Sequence, residues 1–185
     1  VERSRGLGDV YKRQDLFGVG ERMITGKSDP VFGGVYKLAA VKEGDSYIPK
    51  IKVSENPAKI TTPHFKKVYR IFSRDTGKAE ADLICVHDEE IDFTHPLELF
   101  DPAATWKRKV FTDIEARELM VPIFQGGQLV YEVPDLQTSR AYCQRQVDAL
   151  WDEVKRFENP HNYYVDLSQK LWDIKHQLLN SHEMQ

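Results

Sequence analysis

Gly18, Val19 and Gly20, with Glu21 and Arg22 just behind them and Lys37 further along, are the residues whose types and spacing could carry chemistry. Two glycines around one residue let the backbone turn sharply and bring bare N–H groups close to a ligand. Where such a turn opens a helix, those N–H groups form an anion site. A phosphate suits that chemistry, and the Lys37 ammonium, among apolar neighbours, needs an anionic partner or an exit to water. Both glycines could equally do no more than turn the chain, and Lys37 could equally be a strand lysine whose long stem reaches water. Glu21 works against a phosphate if its carboxylate points into the turn, because like charges repel. Arg22 could assist the anion or stand on the surface.

Those residues need a scaffold. Asp15 to Phe17 reads as the end of a buried strand whose earlier part is missing, and Val35 to Val41 as a second strand with Val35, Lys37 and Ala39 on one face. From Lys42 onward the chain reads as short extended segments: a hairpin at Glu43-Gly44-Asp45, a strand from Tyr47 to Val53, and a loop broken by Pro57 and Pro63. A strand from Lys67 to Phe72 follows, then a turn at Asp75-Thr76-Gly77 and a return strand from Ala79 to Val86. Residues 88–104 are acidic and proline-punctuated, as in a surface loop. Thr105 to Phe111, Leu119 to Phe124 and Leu129 to Val133 read as strands, the last two joined at Gly126-Gly127. Two helices close the pattern. Val147, Leu150, Trp151 and Val154 make one apolar stripe; Leu167, Leu171, Ile174 and Leu178 make another, with Asp166 and Gln169 as a capping box. The polar and aromatic stretch Asn159 to Tyr164 reads as a structural link between them.

Composition excludes several classes. With 41% hydrophobic and 30% charged residues, the chain is that of a globular protein. Its net charge is -3, which argues against nucleic acid as a partner, and its apolar runs fall short of the roughly 20 residues of a membrane span. Lys50, Lys52, Lys59, Lys66, Lys67 and Arg70 concentrate positive charge, as an anion-binding face or, more simply, as the solvated face of half-exposed strands. His64, His87 and His95 lack ligand spacing, so no metal is assigned to them, and Cys85 and Cys143 read as small core residues. Residues 1–14 do not fit the pattern that follows. They read as a translated sequencing adapter joined to protein sequence at Asp15, and the whole as the C-terminal piece of a larger protein.

Phe17-Gly-Val-Gly-Glu-Arg22, Pro30-Val-Phe-Gly-Gly-Val-Tyr-Lys-Leu38 and Pro49-Lys-Ile-Lys-Val-Ser-Glu-Asn-Pro-Ala-Lys-Ile-Thr-Thr-Pro63 occur in that order. Trp106-Lys-Arg-Lys109, Leu150 to Phe157 and Tyr164-Val-Asp-Leu-Ser168 follow. Together they resemble the longer bacterial form of nicotinate phosphoribosyltransferase, from Asp15 to the last residue. The resemblance implies an α+β remnant of a type II phosphoribosyltransferase α/β barrel. Residues 15–41 would be the end of the barrel, 42–133 a β-rich region and 134–185 a helical region.

It also implies formation of nicotinate mononucleotide from nicotinate and phosphoribosyl pyrophosphate, with ATP hydrolysed, Mg as the ion accompanying ATP, and a homodimeric enzyme; with neither a membrane span nor a signal pattern in the sequence, the cytoplasm is the default location. Gly18, Val19, Gly20 and Lys37 would hold substrate phosphate. Glu21, where many members carry threonine, and Arg22 are doubtful. The histidine phosphorylated in the reaction would lie upstream, in a missing N-terminal part, so this piece alone would be inactive. Two readings from other classes stay open: a non-catalytic module binding a nucleotide phosphate, and a purely structural β-rich domain.

Overall fold

The computed structural model describes residues 33–183. The chain divides into two compact units, Val1–Tyr36 and Lys37–Gln185. Of the first only Gly33 to Tyr36 are described, and they form no regular element. The adapter reading of residues 1–14 and the strand ending at Phe17 lie outside the described residues.

In the second unit the chain opens with a ribbon of β1 (Ala40–Glu43) and β2 (Ser46–Pro49), turned by Gly44 at φ +59°. A two-residue turn of this kind needs the left-handed backbone that glycine adopts without strain. The expected strand from Val35 is shortened at its start: ladder pairing begins only at Ala40, opposite Pro49, and residues 35–39 have no partner strand among the described residues. The strand expected through Val53 likewise ends at Pro49, whose ring removes the donor a ladder would use.

The main sheet has the order β10-β4-β3-β7. β3 (Lys66–Ser73) and β4 (Ala79–Val86) form its central hairpin, closed through Gly77 at φ +66°, and β7 (Ile114–Glu118) flanks β3 antiparallel. The fourth strand, β10 (Tyr164–Leu167), pairs parallel with β4, from Tyr164 opposite Ala81 to Leu167 opposite Ile84. The sheet is therefore mixed, where sequence reading expected antiparallel strands throughout.

β4 shows why it is central. Its odd residues Ala81 and Leu83 enter a core with Ile71, Leu99, Phe111 and Ile114, whereas Ile84 and Val86 meet Leu167, Leu171 and Trp172 on the opposite face. A strand covered on both sides reads as a near-continuous apolar run rather than a clean alternation. Full burial of a side chain such as Leu171 contributes roughly 2 kcal/mol.

The acidic loop expected over residues 88–104 contains β5 (Leu97–Asp101), paired with β6 (Ala104–Phe111); Leu99 and Phe100 are buried, which the proline and acidic residues around them obscure. The strand expected from Leu119 to Phe124 is displaced to β7 and to the short ribbon β8 (Phe124–Gln125) and β9 (Gln128–Leu129).

Helix α1 spans Leu136–Asp148, and the Asp135 carboxylate accepts the Thr138 N–H at 2.7 Å as its N-cap. The apolar stripe expected to run on to Val154 breaks after Asp148, where tertiary bonds take over. The Ala79 N–H donates to Ala149 O at 2.8 Å, the Trp151 indole N–H donates to Ala79 O at 2.8 Å, and the Lys78 ammonium donates to Asp148 O at 2.6 Å. A cation on the last carbonyls of a helix is favourable on electrostatic grounds.

Helix α2 spans Gln169–Glu183. Asp166 does not cap it, since that residue lies in β10. Ser168 does so instead: its Oγ accepts the Leu171 N–H at 3.3 Å and donates to Glu89 Oε2 at 2.7 Å. Cys85 is fully buried, and burial pushes its thiol up to about 11; Cys143, expected in the core, stands exposed on α1. Among the described residues no helix is long and apolar enough to cross a membrane.

Candidate functional site

Gly18, Val19, Gly20, Glu21 and Arg22 lie outside the described residues. Lys37 is described and exposed, on the irregular segment before β1, not on a strand face as expected. Of the basic cluster, two members have specific tasks. The Lys66 ammonium donates to the carbonyls of Thr62 at 2.9 Å, Pro63 at 3.2 Å and His64 at 2.7 Å, closing the turn in which His64 takes φ +79°, and burial lowers its pKa. Arg70 turns inward.

The Arg70 guanidinium grips Asp82 across the β3–β4 ladder, Nε to Oδ1 at 2.8 Å and Nη2 to Oδ2 at 2.9 Å. The Tyr163 hydroxyl donates to Asp82 Oδ1 at 3.0 Å, and burial beside that carboxylate raises the tyrosine's pKa. Gln146 Oε1 of α1 accepts from Arg70 Nη1 at 3.4 Å and from Arg117 Nη2 at 2.8 Å. Strands β3, β4 and β7, helix α1 and the link before β10 are so joined by one polar network. Its signal was present in sequence: an aspartate in a largely apolar strand, followed by Leu-Ile-Cys-Val, needs a buried partner.

A concavity lies on the β10 edge, a groove of about 1200 Å³ between the β5–β6 hairpin, β10 and residues 151–163. Its charged side chains are Glu80, Asp101, Glu153 and Asp166 against Lys107 and Lys109. Lys109 pairs with Glu80 at 2.8 Å and Lys107 approaches Asp101 at 3.9 Å. Asp166, 6% exposed, receives no hydrogen bond on its carboxylate from the described residues. Burial, with Asp101 nearby, pushes that carboxyl up to about 6. Sequence reading assigned Asp166 to a helix cap and left Asp101 in a loop, so this pairing escaped it.

These elements define an α+β domain built on a mixed four-stranded sheet. The family is more specific: the chain belongs to the nicotinate phosphoribosyltransferases, since the model of the nicotinate phosphoribosyltransferase C-terminal domain matches residues 65–175. The nicotinate phosphoribosyltransferase of Bacillus subtilis is 39% identical over 168 residues, which cover 91% of this chain and 34% of that protein. The Homo sapiens relative of the same name is 32% identical over 158 residues, 85% of this chain and 28% of its own length. In structure, human nicotinic acid phosphoribosyltransferase superposes with a TM-score of 0.58 at 25% identity, covering 64% of this chain and 24% of that one. The chain thus spans about a quarter to a third of the length of these relatives.

Proposed function

We propose that the chain is the C-terminal part of an ATP-dependent nicotinate phosphoribosyltransferase, an enzyme of NAD biosynthesis. The observation that carries this reading is the match of the family's C-terminal domain to residues 65–175, together with 39% identity to the Bacillus subtilis relative over 91% of the chain. In the whole protein, the ring nitrogen of nicotinate displaces pyrophosphate from phosphoribosyl pyrophosphate and nicotinate mononucleotide results.

In this reading the backbone N–H groups around Gly18, Val19 and Gly20 cradle the 5'-phosphate and Lys37 supplies a cation to the substrate phosphates. Prepositioned donors of this kind hold the sugar while positive charge develops at its anomeric carbon. In the same reading residues 15–41 belong to the end of a phosphoribosyltransferase barrel. No histidine of this chain is assigned the phosphorylated role. ATP with Mg belongs to the same proposal for the whole protein. A homodimer in the cytoplasm is part of the same proposal.

The test is a chimera in which residues 15–185 follow the N-terminal two thirds of the Bacillus subtilis relative. Nicotinate mononucleotide should form from nicotinate, phosphoribosyl pyrophosphate and ATP, whereas the 185-residue chain alone should form none. A folded chimera without transferase activity would overturn the assignment.

A further inference from the structure

Among the described residues, none assigned to substrate phosphate above lines the groove on the β10 edge. Four carboxylates against two ammoniums leave its walls a formal excess of two negative charges. One of the four, Asp166, is 94% removed from water and faces the groove without a hydrogen-bond donor from the described residues. An ionised carboxylate so placed is costly until a cation or donor reaches it. On the same walls stand Trp151, His161, Tyr163 and Tyr164, and aromatic faces attract cations. A volume of about 1200 Å³ suits an organic molecule rather than a bare ion, and no three-ligand metal cluster occurs among the described residues.

We propose that this groove binds a small organic dication, an ammonium or guanidinium at each end of an apolar stem, with one end on Asp166 and Asp101 and the stem along the aromatic wall. Lys107 and Lys109 confine the ligand to the acidic side. Glu80 and Asp82 of β4 are already engaged, by Lys109 and Arg70, and leave Asp166 as an uncommitted acceptor among the described residues.

Agmatine serves as the probe, titrated into the 185-residue chain and followed through the Trp151 indole and the Asp166 and Tyr164 amide signals in NMR. Those signals should move saturably, while 1,6-hexanediol, of similar reach but uncharged, leaves them in place. Since only the ionised Asp166 competes for the ligand, and its carboxyl titrates near 6, affinity should fall about tenfold from pH 8 to pH 5. Asp166→Asn should abolish both the binding and its pH dependence; Asp101→Asn is the second variant, each checked for an unchanged fold by its amide spectrum. His161→Gln separates the imidazole's charge from the carboxylate's and should retain the fall. Equal response to the diol, displacement of agmatine by equimolar Mg²⁺, or unchanged affinity in both folded carboxylate variants would overturn the proposal.

Discussion

Arg70 and Asp82 sit directly opposite each other in the β3–β4 ladder and meet through two parallel hydrogen bonds of 2.8 and 2.9 Å, with their side chains only 20% and 12% exposed. The fork geometry fixes the strand register as well as neutralising two charges, because a one-residue slip would move either group to the other face. It also gives Tyr163 a fixed acceptor.

Asp82→Asn should therefore cost about 2–4 kcal/mol, since it leaves a half-buried guanidinium without its counter-ion. The loss should be read as a lowered urea midpoint. Pairing it with Arg70→Met should recover part of the loss, and a double variant as weak as the sum of the singles would show that the two side chains act independently.

Asp166 sets a pH dependence of opposite sense to that of an ordinary ion-paired acid. Its folded carboxyl titrates near 6, above the roughly 4 of an unfolded chain, so between these values the folded state holds more protons. Stability contributed by the protonated acid is present below pH 4 and is lost as pH rises through 6. Asp166→Asn should then raise stability at pH 8 by about 1–2 kcal/mol and flatten the slope between pH 4 and 6. A variant less stable than wild type at pH 8 would mean that the ionised carboxylate has a stabilising partner.

Ser168 links the start of α2 to Glu89 and fills the capping place. Ser168→Ala should cost about 1–2 kcal/mol, and Ser168→Thr should restore much of it. Thermal unfolding of the two variants side by side measures the difference.

In the active chimera, Lys37→Ala should weaken use of phosphoribosyl pyrophosphate or ATP by roughly 1.5–3 kcal/mol, the scale of a charge-assisted hydrogen bond. Unchanged kinetics for both would make Lys37 a solvated lysine, as its exposure on the segment before β1 would then explain by itself.

Gly20→Ala should damage binding of nicotinate mononucleotide in the same chimera even where circular dichroism is unchanged, because a methyl group crowds an approaching phosphate oxygen. Glu21→Thr should preserve or improve it. A folded Gly20→Ala variant that binds the nucleotide as tightly as the parent would leave the turn with only a turning role.

Local signals were legible where chemistry acts over a few residues. Gly44 and Gly77 marked their turns, and the return strand Ala79–Val86 begins and ends as its pattern indicates. What failed depended on distant partners. Leu150, Trp151 and Val154 keep helical spacing, but bonds from Lys78 and Ala79 draw the chain out of the helix after Asp148. Tyr164–Leu167 looked like the approach to a helix because nothing local tells four residues that β4 will offer them an edge. The same distance hid the groove, whose Asp101 and Asp166 belong to strands with no sequence neighbour in common.

That edge pairing also has a kinetic side. β3, β4 and their turn can close as a hairpin as soon as they are synthesised, yet β10 opposite Ala81 begins only at Tyr164, after the β5–β6 hairpin and α1 have been made. Closing so long a loop delays the pairing, and folds rich in such distant contacts form slowly. Until β10 arrives, one side of β4 presents bare N–H and C=O groups, an invitation to any other extended chain. A nascent chain halted before Tyr164 would be the aggregation-prone species, and a chaperone that shields extended segments would find its substrate there.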